Sequence, residues 1–326
     1  MNENKKNRTV QCFRGLFCLF IMGYHFTSRF SELYHYQLPS FVYPVSGVID
    51  YIGMGCFCFI TGYYTYHSKR DNTSVCKNIL HRFRRLYPAY LSSVIIIYVA
   101  SLLGSAFLGD RKVSFLVFLE NTVFLNIPLQ SGFVDGAHWY VVFIMGINIF
   151  YSIMAKMRRV MESRWFWIAQ HSVFCLAMII GFVYPTSLKS YVLYTSLVSL
   201  GVFYKLYSYA LADKITLYLV TALQTVTIFF SESLIHSLLL IAFLLALCAG
   251  MNENRKKTVK ISDSNALSWI GDRSYHIYLI HQNIGYMVIN CMLYFGLPYV
   301  SGLIFAIMIA ICLGNILYYL DNKIST

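Results

Sequence analysis

RGLFCLFIMGYH, residues 14–25, decides how the rest of the chain is read. It is an apolar run that opens on a permanent cation and closes on an imidazole. A water-soluble helix has no use for that combination, whereas a helix crossing a bilayer does. Arg14 can snorkel to the headgroups, and a histidine inside the membrane either bonds a neighbouring helix or serves a function. At roughly 100° per residue, eleven residues make three turns plus about 20°, so both side chains share one face. They stand about 16 Å apart along the axis, from a rise of about 1.5 Å per residue. One helix face therefore carries a polar track from the cytoplasmic interface to the outer half of the membrane.

Composition agrees with a membrane setting. Of 326 residues, 58% are hydrophobic and 12% charged, and the mean hydropathy is +0.58. Soluble domains carry about 25% charged residues. Apolar segments recur along the whole length, which implies one integral-membrane domain over residues 1–326. The first segment lacks a small-x-small cleavage site and continues into Phe26–Phe30, so a retained span is expected, not a signal peptide. Most of the nine cysteines sit in apolar runs as small apolar residues. Cys56-Phe57-Cys58 has the wrong spacing for a zinc or redox pair, so neither metal nor disulfide is expected.

Hydropathy predicts an all-α polytopic bundle of about ten transmembrane helices. The spans fall at 11–30, 46–66, 87–109, 139–157, 165–184, 188–206, 215–231, 233–250, 267–291 and 297–320. With the N-terminus in the cytoplasm, all 26 Lys and Arg except Arg29, Arg111, Lys112, Lys189 and Arg273 fall on the cytoplasmic side. That asymmetry is the positive-inside rule. It accounts for the net charge of +12 without a nucleic-acid partner. The outer side is comparatively acidic, with Glu32, Asp50, Asp110, Glu120, Asp135 and Glu232. The longest outer connection, 110–138, has Phe- and Leu-rich pieces suited to the interface.

Two further clusters carry chemistry. HRFRRLYPAY, residues 81–90, places Arg82, Arg84 and Arg85 just before Pro88, which suits the start of a helix. Lipid anchoring needs only scattered cations, whereas clustered arginines also suit bidentate contact with phosphate. WIGDRSYHIYLIHQNIGY, residues 269–286, sets Ser274, Tyr278 and His281 at i, i+4 and i+7 on one face. So polar a face should look into the bundle, with Asp272 and Arg273 pairing locally.

Taken together, these motifs resemble the membrane-bound acyltransferase family 3, whose bacterial members modify cell-surface glycans. Arg14 and His25 match its Arg-x10-His pattern; FCFITGYY, residues 57–64, is similar to its Phe-Phe-x-x-Ser-Gly-Tyr segment, with Thr61 for Ser. Arg82, Arg85 and Pro88 match Arg-x-x-Arg-x-x-Pro, and Ser274, Tyr275, Tyr278 and His281 match Ser-Tyr-x-x-Tyr-x-x-His. AHWYVVFIMGINIFY resembles the segment led by Trp139. The glutamate that many members carry after that tryptophan has no counterpart in residues 142–147; the nearest polar groups are Asp135, His138 and Asn148.

The resemblance implies a cytoplasmic acyl-CoA donor, usually acetyl-CoA, and a saccharide or glycan hydroxyl as acceptor. It also implies a multi-pass protein of the bacterial inner membrane. Arg14, Arg82 and Arg85 would hold the phosphates of coenzyme A. His25 would serve as base or be acylated itself. Ser274 or Tyr278 would stabilise the oxyanion, and His281 is the second deep imidazole. Tyr34, Tyr36, Phe41, Tyr43 and Trp139 could stack on sugar rings or form an interfacial belt. The alternative is a transporter or flippase of a glycan or lipid intermediate, which would favour paired helix breaks in repeated halves. The spans show few prolines and no repeat.

Overall fold

The computed structural model describes residues 7–65, 74–184, 188–209, 212–256 and 265–324. Lys5, Lys6, Lys69, Arg70, Lys257 and Lys260 of the basic flanks lie outside the described residues. The described residues contain no strand. Their long helices are α1 (Arg8–Tyr24), α2 (Val42–Thr65), α3 (Val75–Leu103), α4 (Trp139–Met154), α5 (Arg164–Val183), α6 (Lys189–Ser208), α7 (Lys214–Phe229), α8 (Leu234–Lys256), α9 (Ala266–Tyr294) and α10 (Tyr299–Ile324). Each apolar segment read from the sequence falls on one of them. By length and composition, six are apolar enough to cross a membrane: α2, α3, α5, α8, α10 and Gly136–Met154, which contains α4.

The helix start expected at Pro88 is corrected. α3 begins at Val75, and Pro88 lies inside it. The proline has no N–H for the carbonyl of Arg84, four residues back. Hydropathy missed the first turns of α3 because they are polar: the helix extends beyond the apolar window.

The chain forms two compact units, Met1–Gly47, His81–Met145 and Lys260–Thr326 in one, and Val48–Leu80 and Gly146–Val259 in the other. In the second, the tilted rings of Trp167 and Phe203 pack with centroids 5.3 Å apart. There Gln224 Nε2 donates to Ser196 Oγ at 2.9 Å, both residues buried, so a hydrogen bond ties α6 to α7.

The first unit is built on α9, whose residues from Ile277 to Met287 are all buried. On one side α10 runs antiparallel to it: Gly314 meets Ile277, and Gly302 meets Ile289. On another, α3 contributes Tyr90, Val94 and Ile97 to an apolar cluster with Leu279, Ile280 and Ile284. On the third, α1 runs parallel to it and close. A Cβ on Gly271 would stand 1.8 Å from the carbonyl oxygen of Gln11, and one on Gly15 would stand 2.0 Å from that of Leu267. Only glycine at both positions lets the two backbones approach so closely. That crossing fixes the register of α1 against α9, and the register positions the site.

The expected Asp272–Arg273 pair is also corrected. Neighbouring residues on a helix point different ways. Asp272 pairs with Arg8 of α1 at 3.4 Å. Arg273 donates to Asn315 Oδ1 at 2.5 Å and lies over the Trp269 and Tyr318 rings. The two charges clamp α1 and α10 onto opposite sides of α9.

Candidate active site

The site grows from the Gly15–Gly271 crossing. His25 and His281 each lie ten residues beyond their glycine, so a parallel pair in register brings them level. Cys18 Sγ marks the middle, 3.9 Å from the carbonyl of Ser274. Higher up, the imidazole rings of His25 and His281 meet edge to face, with centroids 5.0 Å apart. Beyond them the Phe26 ring fills the space over Gly285.

At His25 the helix changes form. Residues His25–Arg29 make a π-helical turn before the chain resumes an α-helix over Phe30–Tyr34. Thr27 Oγ1 donates to the carbonyl of Gly23 at 2.6 Å and so takes up one of the loosened backbone groups. Single π turns widen a helix and re-aim the side chains on it, and they concentrate at functional positions.

The hydrogen bonds set the tautomer of His281. Its Nδ1 is 2.7 Å from the carbonyl oxygen of Tyr278, which can only accept, so Nδ1 carries a hydrogen. In the neutral ring Nε2 is then a bare acceptor, and it is buried without a hydrogen-bond partner. His25 Nδ1 lies 3.5 Å from the Tyr286 hydroxyl, at the limit of a hydrogen bond. The Tyr278 ring lies 5.4 Å from those of both His281 and Tyr140, tilted against the first and edge to face with the second. Ser274, Tyr278 and His281 are all buried, as their shared face requires. Ser274 is nonetheless remote from the rings. Its hydroxyl donates to the Gly271 carbonyl at 2.8 Å, two turns below His281.

A buried carboxylate stands beside this pair. Asp135 Oδ1 accepts from the N–H of Ala137 and Oδ2 from the N–H of Asn283, each at 2.9 Å. His138 Nε2–H donates to the carbonyl of Leu279 at 3.0 Å. Leu279 C=O and Asn283 N–H are the groups a regular helix would pair with each other, so Asp135 and His138 grip α9 on either side of His281. The charge of Asp135 acts on His281. Asp135→Asn leaves a single acceptor for two N–H groups and points an amide donor at one of them. A loss of about 2 kcal/mol is expected, as for a buried hydrogen bond to a charged group. The check is the unfolding temperature in detergent, which should fall.

At the other end of the helix pair lie the arginines. Arg14 is half-buried, donates to Gln11 Oε1 at 3.4 Å, and its charge reaches Cys18 and His276. Arg82 is half-buried and Arg85 exposed. The charge of Arg85 reaches Tyr275, whose hydroxyl donates to the Leu86 carbonyl at 2.9 Å. Tyr275 thus ties this end of α9 to the turn of α3 that carries Arg85.

Sequence reasoning missed Arg111. It belongs to the 110–138 connection, and its guanidinium lies over the Tyr286 ring, 5.4 Å from the centroid. Its charge is felt at His25. No motif marks it; it is one of four basic residues, with Arg29, Lys112 and Lys189, that the charge asymmetry leaves on the outer side. The nearby helix Phe115–Thr122 leaves Phe115 and Leu116 exposed, as a piece lying at a membrane interface would.

Among the described residues no group of three His, Cys, Asp or Glu side chains is placed to hold a metal. A family model described as an acyltransferase domain matches residues 7–319, through both compact units. No curated protein and no solved structure matches the chain.

Proposed function

The chain belongs to acyltransferase family 3, and on that premise we propose that it is an integral-membrane O-acyltransferase. It would carry an acetyl group from cytoplasmic acetyl-CoA to a hydroxyl of a glycan or lipid-linked saccharide across a bacterial inner membrane. In this reading all ten long helices span the bilayer and the N-terminus is cytoplasmic, as the Lys and Arg distribution favours. Arg14, Arg82 and Arg85 then face the donor side, and the His25–His281 pair lies toward the acceptor side.

What supports the proposal is that two imidazoles meet at one end of the α1–α9 seam, while Arg14 stands eleven residues before His25 on α1 and Tyr275 of α9 bonds the Leu86 carbonyl, next to Arg85. A phosphate-bearing donor held by the arginines can lay its extended arm along the seam and present its thioester to the rings. In the direct route, a bare imidazole nitrogen takes the acceptor's hydroxyl proton as its oxygen bonds to the thioester carbonyl carbon. The carbon–sulfur bond then breaks, and the departing thiolate takes that proton from the imidazolium. In the two-step route the imidazole itself is acylated, the thiol leaves, and the acceptor hydroxyl then displaces the ring. Tyr286, with its hydroxyl beside His25, is better placed than Ser274 to steady the oxyanion in either route.

The test is transfer of labelled acetyl from acetyl-CoA to envelope glycan by membranes that contain the protein. Transfer above that of membranes lacking it supports the reading, and its absence defeats it. Within the same assay, Arg85→Ala should raise the KM for acetyl-CoA about tenfold or more, the loss of a charge-assisted bond, and leave the acceptor KM in place. The opposite pattern would return the arginine to lipid anchoring.

A further inference from the structure

The donor site uses arginines at one end of the seam, yet a separate cationic site sits at the other. Arg111 and Lys112 line a cavity of about 240 Å³ together with Ser131, Phe133 and Asn283. That is below the size range of drug-sized ligand pockets, about 300–1,000 Å³, and suits one sugar ring. Three of its polar groups are buried without a hydrogen-bond partner: Arg111 Nη1, Ser131 Oγ and Asn283 Oδ1. Leaving a buried donor unmatched costs about 1–3 kcal/mol, and more when it is charged, so three together mark a place that a ligand completes. The Arg111 guanidinium also lies over the Tyr286 ring, 5.4 Å from its centroid, which holds the cation at this end of the seam.

Arg111 also joins this cavity to the chemistry, since it lines the cavity and lies over the ring of Tyr286, whose hydroxyl is 3.5 Å from His25 Nδ1. Both oxygens of the neighbouring Asp135 accept from backbone N–H groups, of Ala137 and Asn283, and neither bonds the Arg111 guanidinium. Coenzyme A phosphates at Arg14 and Arg85 lie at the far end of the seam and leave Arg111 unengaged.

The geometry points to an acidic sugar as the acceptor: Arg111 and Lys112 hold the carboxylate or phosphate of the ring that is acylated, Ser131 and Asn283 bond its hydroxyls, and the hydroxyl to be esterified turns toward His25. This rests on the acyltransferase reading and adds the charge class of the acceptor. The step adds an acyl group to a hydroxyl and leaves the acid untouched, so no further reactant is needed.

Membranes containing the full-length protein, supplied with labelled acetyl-CoA and envelope glycan, provide the test. Tandem mass spectrometry of glycan fragments should place the label on a ring that binds an anion exchanger. Phosphatase treatment that releases the fragment would identify phosphate, and retention would identify carboxylate. Arg111→Gln should raise the acceptor KM about 30-fold or more, as for loss of one partner of a desolvated charge pair, with the acetyl-CoA KM unmoved. Arg111→Lys should restore part of it. Should Arg111→Gln fail to fold, the exposed Lys112→Gln gives the same test with a smaller rise. Label on a neutral ring, or equal changes in both KM values, would overturn the assignment. Absence of any transfer by the unaltered protein is a different result and would remove the acyltransferase reading itself.

Discussion

His25→Ala should lower acyl transfer by about 10²–10⁴-fold, the range that a positioned acid–base group supplies, while the protein still folds and binds acetyl-CoA. The expectation rests on three local facts. His25 opens the π turn of the first helix, its ring meets that of His281 at 5.0 Å, and its Nδ1 is within 3.5 Å of the Tyr286 hydroxyl. None of the donor-side arginines is altered, so acetyl-CoA should bind the variant as before. Three measurements separate the possibilities: labelled transfer, equilibrium binding of acetyl-CoA, and unfolding temperature. Undiminished transfer would remove His25 from the chemistry. Loss of folding would call for His25→Gln, which keeps much of the volume but cannot act as a base.

Gly271→Val should have a comparable effect without touching any group in the site. The new Cβ would stand 1.8 Å from a backbone oxygen of α1, and backbone cannot swing aside as a side chain can. Overpacking costs about 1–3 kcal/mol and occasionally more. Whatever protein survives in the membrane must hold α1 further from α9. The imidazoles lie ten residues beyond the crossing, so they separate too, and a misplacement of about 1 Å at a reacting group can cost 10²-fold in rate. Membrane yield and specific activity should both fall. Normal activity in the Gly271→Val variant would mean that the glycine crossing does not set the site.

Much of this was legible in the sequence because its physics is local. Apolar length marked the ten helices, and helical periodicity placed Ser274, Tyr278 and His281 on one face, where each is buried. What escaped depends on partners distant in the chain. The His25–His281 meeting needs α1 and α9 to run parallel, a relation fixed by two glycines more than two hundred residues apart. The π turn leaves no periodic trace, because one extra residue in a turn shifts the apolar pattern too little to register. Asp135 and His138 were named only as the nearest polar groups to a missing glutamate. Their grip on Leu279 and Asn283 is tertiary. Ser274 shares the right face at the wrong height, and Arg111 was hidden in a connection whose path no pattern predicts.

In the proposed reaction one seam between α1 and α9 joins a phosphate-binding end to an imidazole pair. The most direct test of this is an electron cryomicroscopy map of the protein in lipid nanodiscs with a non-hydrolysable acetyl-CoA analogue. Phosphate density is expected against Arg14 and the Arg82–Arg85 turn, with the carbonyl that replaces the thioester in contact with His25 or His281. An analogue bound in the second unit, or one whose carbonyl lies away from both rings, would contradict it.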